Sequence, residues 1–213
     1  MLSSYYTVKQ PGTHEIYIQK SRFIAYIGRA ESEEEAQAFI QSIKKKHYDA
    51  THNCSAYLIG ENNEIQKAND DGEPNGTAGI PILEVLKKRG LKDTVVVVTR
   101  YFGGIKLGTG GLIRAYGSAA SEVIRTVGVV KRVLMQIMHT AFDYSYLGKI
   151  ENELHNSPYE KKEIRYFEHV EMDIYVESGN QETFAEWITN LTNGEAEIGS
   201  GDVEYLEKEI NKL

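Results

Sequence analysis

Apolar residues alternate with polar ones at Ile16 and Ile18 and again from Phe23 to Ile27, a period of two that predicts one long strand or a hairpin. "ESEEEAQAFIQSIKKKHY" predicts a helix with Ser32 as N-cap. Glutamates 33–35 sit at the positive end of its dipole and lysines 44–46 at the negative end, so helix electrostatics explains those charges. "NCSAYLIG" and "EIQKAND" predict two short strands around the turn "GENN". "DDGEPNGTAG" is loop by composition, and "IPILEVLKKRG" a helix with Pro81 in its first turn and Gly90 as its stop. "TVVVV" has the continuous apolar run of a buried strand. From Thr109 to Val127 apolar residues recur at Leu112, Tyr116, Ala119, Ala120, Val123 and Val127, a helical stripe. Arg114, Ser118, Ser121 and Arg125 fall on the opposite face.

After Val127 the texture changes. "VVKRVLMQIMHTAFDY" predicts a strand and "YSYLGKIENELHNSP" a helix ended by Pro158. "KKEIRYFEHVEMDIYVES" holds two strands, "NQETFAEWITNLTNG" a helix closed by Gly194, and "EAEIGSGDVEYLEKEI" a last strand. The order β-α-β-β-α-β is the split-βαβ pattern of a ferredoxin-like fold. The expectation is an α+β protein of two domains, residues 1–132 and 133–213, with the boundary between Gly128 and Arg132.

Composition narrows the class. Hydrophobic residues at 41% and charged residues at 26% of 213 are ordinary for a globular protein. The start lacks an apolar h-region behind a basic segment, and no run of about 18 apolar residues occurs, so neither a secretory signal nor a membrane span is expected. The single cysteine, Cys54, suits a reducing cytoplasm. The net charge of −7 hides an asymmetry: residues 1–132 hold 18 Lys/Arg and 14 Asp/Glu, hence +4, and residues 133–213 hold 6 and 17, hence −11. Ten of those basic residues lie between Leu86 and Arg132, against only Asp93 and Glu122. Two readings stay open: a basic face for an anionic partner, or cations scattered over a solvated surface.

The glycine-dense stretch "VVVVTRYFGGIKLGTGGLIRAYG" is the first candidate for chemistry. A Walker loop fails because Thr109 stands where lysine is needed, and the dinucleotide pattern fails at Ile113. What survives is a generic anion site: free N–H groups at a helix start, no Cβ at Gly103, Gly104, Gly108, Gly110 or Gly111, and cations at Arg100, Lys106 and Arg114 that are expected to converge there. The other reading is that the glycines make a tight strand-to-helix turn. Asp70, Asp71 and Glu73 form a second candidate, for a divalent cation. EF-hand spacing fails at Lys67 and Ala78, and turn chemistry with Thr77 capping the next helix accounts for the same residues. His52 and Cys54, two apart on a strand, share a face, although a lone cysteine there reads as core. His47, His139, His155 and His169 show no zinc spacing. No catalytic residue, metal or cofactor is assigned.

"DDGEPNGTAGIPIL" followed by the glycine-dense stretch closely resembles the signature of the IMPACT family, and the two-domain layout resembles its bacterial YigZ-type members. The first motif carries Asp70, Asp71, Gly72, Glu73, Pro74, Gly76 and Thr77. The resemblance implies an N-terminal domain with a ribosomal-protein-S5-domain-2-like fold, similar to domain IV of elongation factor G. It implies a ferredoxin-like C-terminal domain similar to that factor's domain V. Both relatives act on the ribosome. Eukaryotic members are linked to translational control through competition for the activator of a starvation-responsive kinase, and they carry an extra N-terminal interaction domain not expected here. Bacterial members are suggested to bind nucleic acid with the C-terminal domain. The −11 charge argues against that here, so RNA is expected on the N-terminal domain.

Two functions follow. One is a non-catalytic, translation-associated regulator that docks on the ribosome or RNA through Arg100, Gly103, Gly104, Lys106, Gly108, Thr109, Gly110, Gly111 and Arg114, with a protein partner also compatible. The other is an enzyme that binds a phosphorylated small molecule or nucleotide at that loop, with Asp70, Asp71 or Glu73 holding magnesium.

Overall fold

A computed structural model describes residues 1–210. The chain forms an α+β protein of two compact units, residues 5–131 with residues 208–210, and residues 132–207 with residues 1–4.

The N-terminal unit contains β1 (Ser4–Val8), β2 (Gly12–Ile18), β3 (Ser21–Arg29), α1 (Glu33–Lys46), β4 (His52–Ile59), β5 (Ile65–Asn69), α2 (Gly79–Lys88), β6 (Thr94–Tyr101) and α3 (Gly108–Val127). Its antiparallel sheet runs β2-β3-β6-β4-β5. Val96 and Val98 join the core beneath α2 and α3, while Val95 and Val97 join a second core beneath α1. A strand covered on both faces has no polar side to alternate with, which is why "TVVVV" is apolar throughout. The stripe on α3 is buried as its spacing predicts, from Leu112 and Tyr116 to Val127. On α1, Ser32 Oγ accepts from the Glu35 N–H at 3.2 Å, as expected of the N-cap.

The alternation around Ile16 to Ile27 resolves into a hairpin. Ile18 faces Ser21 across a two-residue turn in which Gln19 and Lys20 have φ of 45° and 68°. That is the left-handed geometry of a tight hairpin turn, without the glycine or asparagine that usually announces it. The strand β1 is an addition to the sequence reading.

The C-terminal unit takes most of β7 (Val129–Phe142), then α4 (Tyr144–His155), β8 (Glu160–Tyr166), β9 (Val170–Glu177), α5 (Gln181–Leu191) and β10 (Glu197–Glu209). Its strands run β10-β7-β9-β8. Met138, Met172, Ile174 and Val176 pack against Ile150, Leu154, Phe184 and Ile188 of the two helices. No helix among the described residues is long and apolar enough to cross a membrane.

Candidate functional site

The acidic loop is built around Asp70. Its Oδ2 accepts from the Gly76 N–H at 2.8 Å, and its Oδ1 from Ala78 and Gly79 at 3.0 and 2.8 Å. Ala78 and Gly79 stand at the start of α2, where N–H groups lack helical partners, so Asp70 caps the helix from a distance, while its bond to Gly76 ties down the preceding loop. Thr77, expected as the cap, instead donates its hydroxyl to the Pro74 carbonyl at 2.6 Å, closing the turn. Burial pushes the Asp70 carboxyl up, but the three backbone hydrogen bonds outweigh it and hold the group below the usual value. Positive φ at Asp71, Gly72 and Gly76 carries the chain around the turns.

The other two carboxylates face elsewhere. Asp71 accepts from the Asn53 N–H at 2.7 Å and pairs with Lys44 Nζ at 2.6 Å. Glu73 is buried, and its Oε1 accepts from Arg100 Nη1 at 2.6 Å and from the Tyr116 hydroxyl at 2.7 Å. Asp70, Asp71 and Glu73 therefore face different partners: Asp70 and Asp71 spend both oxygens on their own donors, and Glu73 turns Oε1 to Arg100 and Tyr116. Among the described residues no three His, Cys, Asp or Glu side chains are grouped to hold a metal.

Arg100 also departs from expectation. It lies one residue before the end of β6, between Phe23 of β3 and His52 of β4, and only 5% of it is exposed. Its guanidinium lies 5.4 Å from the Phe23 ring and 5.5 Å from the Phe102 ring, with Nη2 at 3.3 Å from Ser21 Oγ. The expectation of an exposed docking cation is corrected: with Glu73 as counter-ion, Arg100 is a buried ion pair. Its Nε is nonetheless a buried donor with no partner.

The glycine loop is pinned at its root. The Phe102 N–H donates to Thr51 Oγ1 at 3.0 Å and the Gly103 N–H to Ser21 Oγ at 3.3 Å. A Cβ on Gly103 would collide with the backbone of Lys20 and Ser21, so this glycine is required by close approach. Gly104 and Gly108 have φ of +87° and +70°. Helix α3 then begins with no side-chain cap and no acidic residue in its first turn, which includes Thr109, Gly110 and Gly111. Its orphan N–H groups and the positive end of its dipole are open to an anion.

A cleft of about 480 Å³ lies between the two loops. Glu73 and Arg100 line it together with His52, Phe102, Lys106 and Thr109. Arg114 is exposed beside Gly110 in the first turns of α3 and does not line the cleft. Two expected cations thus change role, one buried and one outside, and Lys106 remains at the cleft.

His52 and Cys54 both address the acidic loop. His52 Nδ1 lies 2.8 Å from the Asp71 carbonyl, which only accepts, so Nδ1 carries the hydrogen and the neutral ring presents a lone pair at Nε2. Nε2 sits 3.8 Å from Glu73 Oε2. Cys54 donates to the Asp70 carbonyl at 3.0 Å, and burial pushes its thiol up, away from thiolate chemistry. Tyr116 and Phe102 were not singled out by sequence. Tyr116 looks like one more stripe residue, and only the polar tip of a tyrosine on an apolar face hints at its bond to Glu73.

Fold and cleft together define a two-unit α+β protein with a polar-floored cleft at an uncapped helix start. Residues 19–124 match the Impact N-terminal domain, and residues 140–195 match a domain of unknown function (DUF1949). The chain is 63% identical to the IMPACT family member YvyE of Bacillus subtilis (strain 168), over 100% of this chain and 98% of that protein. It is 36% identical to the IMPACT family member YigZ of Escherichia coli (strain K12), over 67% of this chain and 74% of that one. The chain belongs to the IMPACT family. A crystal structure of a hypothetical protein superposes with a TM-score of 0.61 at 29% identity, covering 95% of this chain and 99% of that one.

Proposed function

We propose that this protein is a cytoplasmic, non-catalytic, translation-associated regulator that binds RNA, free or on the ribosome, through its N-terminal domain. We further propose that residues 1–132 form a ribosomal-protein-S5-domain-2-like domain and residues 133–213 a ferredoxin-like one. The βαββαβ order and the strand order β10-β7-β9-β8 support the second assignment.

The observation that carries the RNA reading is the uncapped start of α3, flanked by Lys106 at the cleft and Arg114 outside it. Phosphate is the anion that such a helix start and two cations attract. Exposed Phe102 adds an aromatic face beside them, the usual partner of an unpaired base. The acidic C-terminal half has the wrong sign for the same task.

Co-sedimentation with ribosomes and with RNA across a salt series tests this. Lys106→Glu with Arg114→Glu is expected to weaken binding and to flatten its salt dependence by about one contact per lysine or arginine lost. Lys45→Glu with Lys46→Glu, on α1, is the control; Lys44 is excluded because it holds Asp71. A folded Lys106/Arg114 variant that sediments like the wild type at every salt concentration removes the loop from the function.

A second reading is an enzyme acting on a phosphorylated small molecule, favoured by His52 Nε2 standing beside Glu73 Oε2 at the same cleft. Stabilisation by a nucleotide without any binding to RNA would favour it.

A further inference from the structure

We propose that the cleft between the acidic loop and the glycine loop holds one nucleotide, and that it selects a base bearing an exocyclic amino group. This rests on the anion-binding reading above and adds what lies behind the phosphate. The volume of about 480 Å³ falls within the roughly 300–1,000 Å³ typical of small-molecule pockets, more than a phosphate alone would fill.

The lining is divided by chemistry. At one side stand Lys106, Gly108 and Thr109, the cation and the open N–H groups of α3, suited to the phosphate. Phe102, 47% exposed, offers a ring face on which a base can stack. The polar floor presents acceptors. Glu73 spends Oε1 on Arg100 and Tyr116, and its Oε2 faces His52 Nε2 at 3.8 Å without a hydrogen between them when the ring is neutral. Two neighbouring acceptors need a donor, and the amino group of guanine, adenine or cytosine supplies two N–H hydrogens. Uracil has no amino group. Arg100, which lines the same cleft, keeps a buried Nε with no hydrogen-bond partner, a second unmet polar group at the floor. The nucleotide is either free or an unpaired residue of an RNA strand turned out of its stack, since both present the same base edge and phosphate.

Calorimetric titration of the full chain with GMP, UMP, inorganic phosphate, and single-stranded oligo(G) and oligo(U) of equal length tests the proposal. GMP is expected to bind about tenfold or more tightly than UMP, and inorganic phosphate more weakly than GMP. Phe102→Ala should reduce GMP affinity about tenfold while leaving inorganic phosphate unchanged, because stacking is lost and the anion site is kept. Glu73→Gln should abolish the preference for GMP over UMP. Phe102 is exposed, so its variant stays informative if Glu73→Gln fails to fold. Equal binding of GMP and UMP overturns the proposal, as does an unaltered GMP affinity in Phe102→Ala. If both oligomers bind equally and no mononucleotide binds, the base pocket falls and the RNA reading stands. If GMP binds selectively and neither oligomer does, the site takes free nucleotide and the RNA reading falls. Binding of nothing in the set overturns both.

Discussion

Truncating Glu73 to alanine should unfold the N-terminal unit far more readily than its loop position suggests. The side chains of Glu73 and Arg100 are only 3% and 6% exposed, and they meet at 2.6 Å. Removing the carboxylate strands a buried guanidinium and takes the acceptor from the Tyr116 hydroxyl. Breaking one side of a buried pair costs about 3–5 kcal/mol, whereas an exposed pair is worth about 1 kcal/mol or less. Tyr116→Phe leaves the ion pair intact and removes one hydrogen bond to a charged group, about 1.5–3 kcal/mol. The double variant should lose less than the sum of the two, because both deletions strike the same carboxylate. Urea unfolding by far-UV circular dichroism measures the whole chain. Fluorescence of Trp187, the sole tryptophan and a neighbour of Phe184 in the C-terminal core, reports on the other unit. The dichroism transition should move in Glu73→Ala. A loss below about 1 kcal/mol would show that water reaches the pair and that the cleft floor is not desolvated.

Two further outcomes test the frame around the site. Asp70→Asn should cost about 1–2 kcal/mol near pH 7, the value of a lost charged cap. Because the folded Asp70 value lies below its ordinary 3.8, that stabilisation is complete above the ordinary value and disappears as pH falls through the folded one. Thermal unfolding of wild type and variant should therefore differ near about pH 7 and draw together as pH falls through the folded Asp70 value, and a gap independent of pH would contradict the assignment. Gly103→Ala should destabilise by about 1–3 kcal/mol, since its Cβ meets the backbone of Lys20 and Ser21 rather than a side chain that can swing away. An unchanged melting temperature would place that loop away from the hairpin.

Most elements were legible because their periodicity is local. The α3 stripe, the α1 caps and the β-α-β-β-α-β order each depend on neighbours a few residues apart. The site was legible only as a list of loops. Arg100 is basic at the end of an apolar strand, and whether it faces water depends on Glu73, 27 residues earlier, entering the same space. The cap of α2 comes from Asp70, nine residues before Gly79, while Thr77 sat where local rules look for it. The hairpin was ambiguous for a similar reason, since Gln19 and Lys20 adopt left-handed angles that their side chains do not advertise.

The anchoring of the glycine loop at Phe102 and Gly103 bears on the kinetics of recognition. With the root fixed by Thr51 and Ser21, only Gly104 to Lys106 separate it from Leu107 at the mouth of α3. Fixing a free residue costs about 1–2 kcal/mol of chain entropy, so immobilising three of them on binding costs at most about 3–6 kcal/mol. Folding has already met the rest of that cost. Encounter with an anion then needs little rearrangement, and variants of Lys106 should change the residence time of a bound partner more than its rate of arrival.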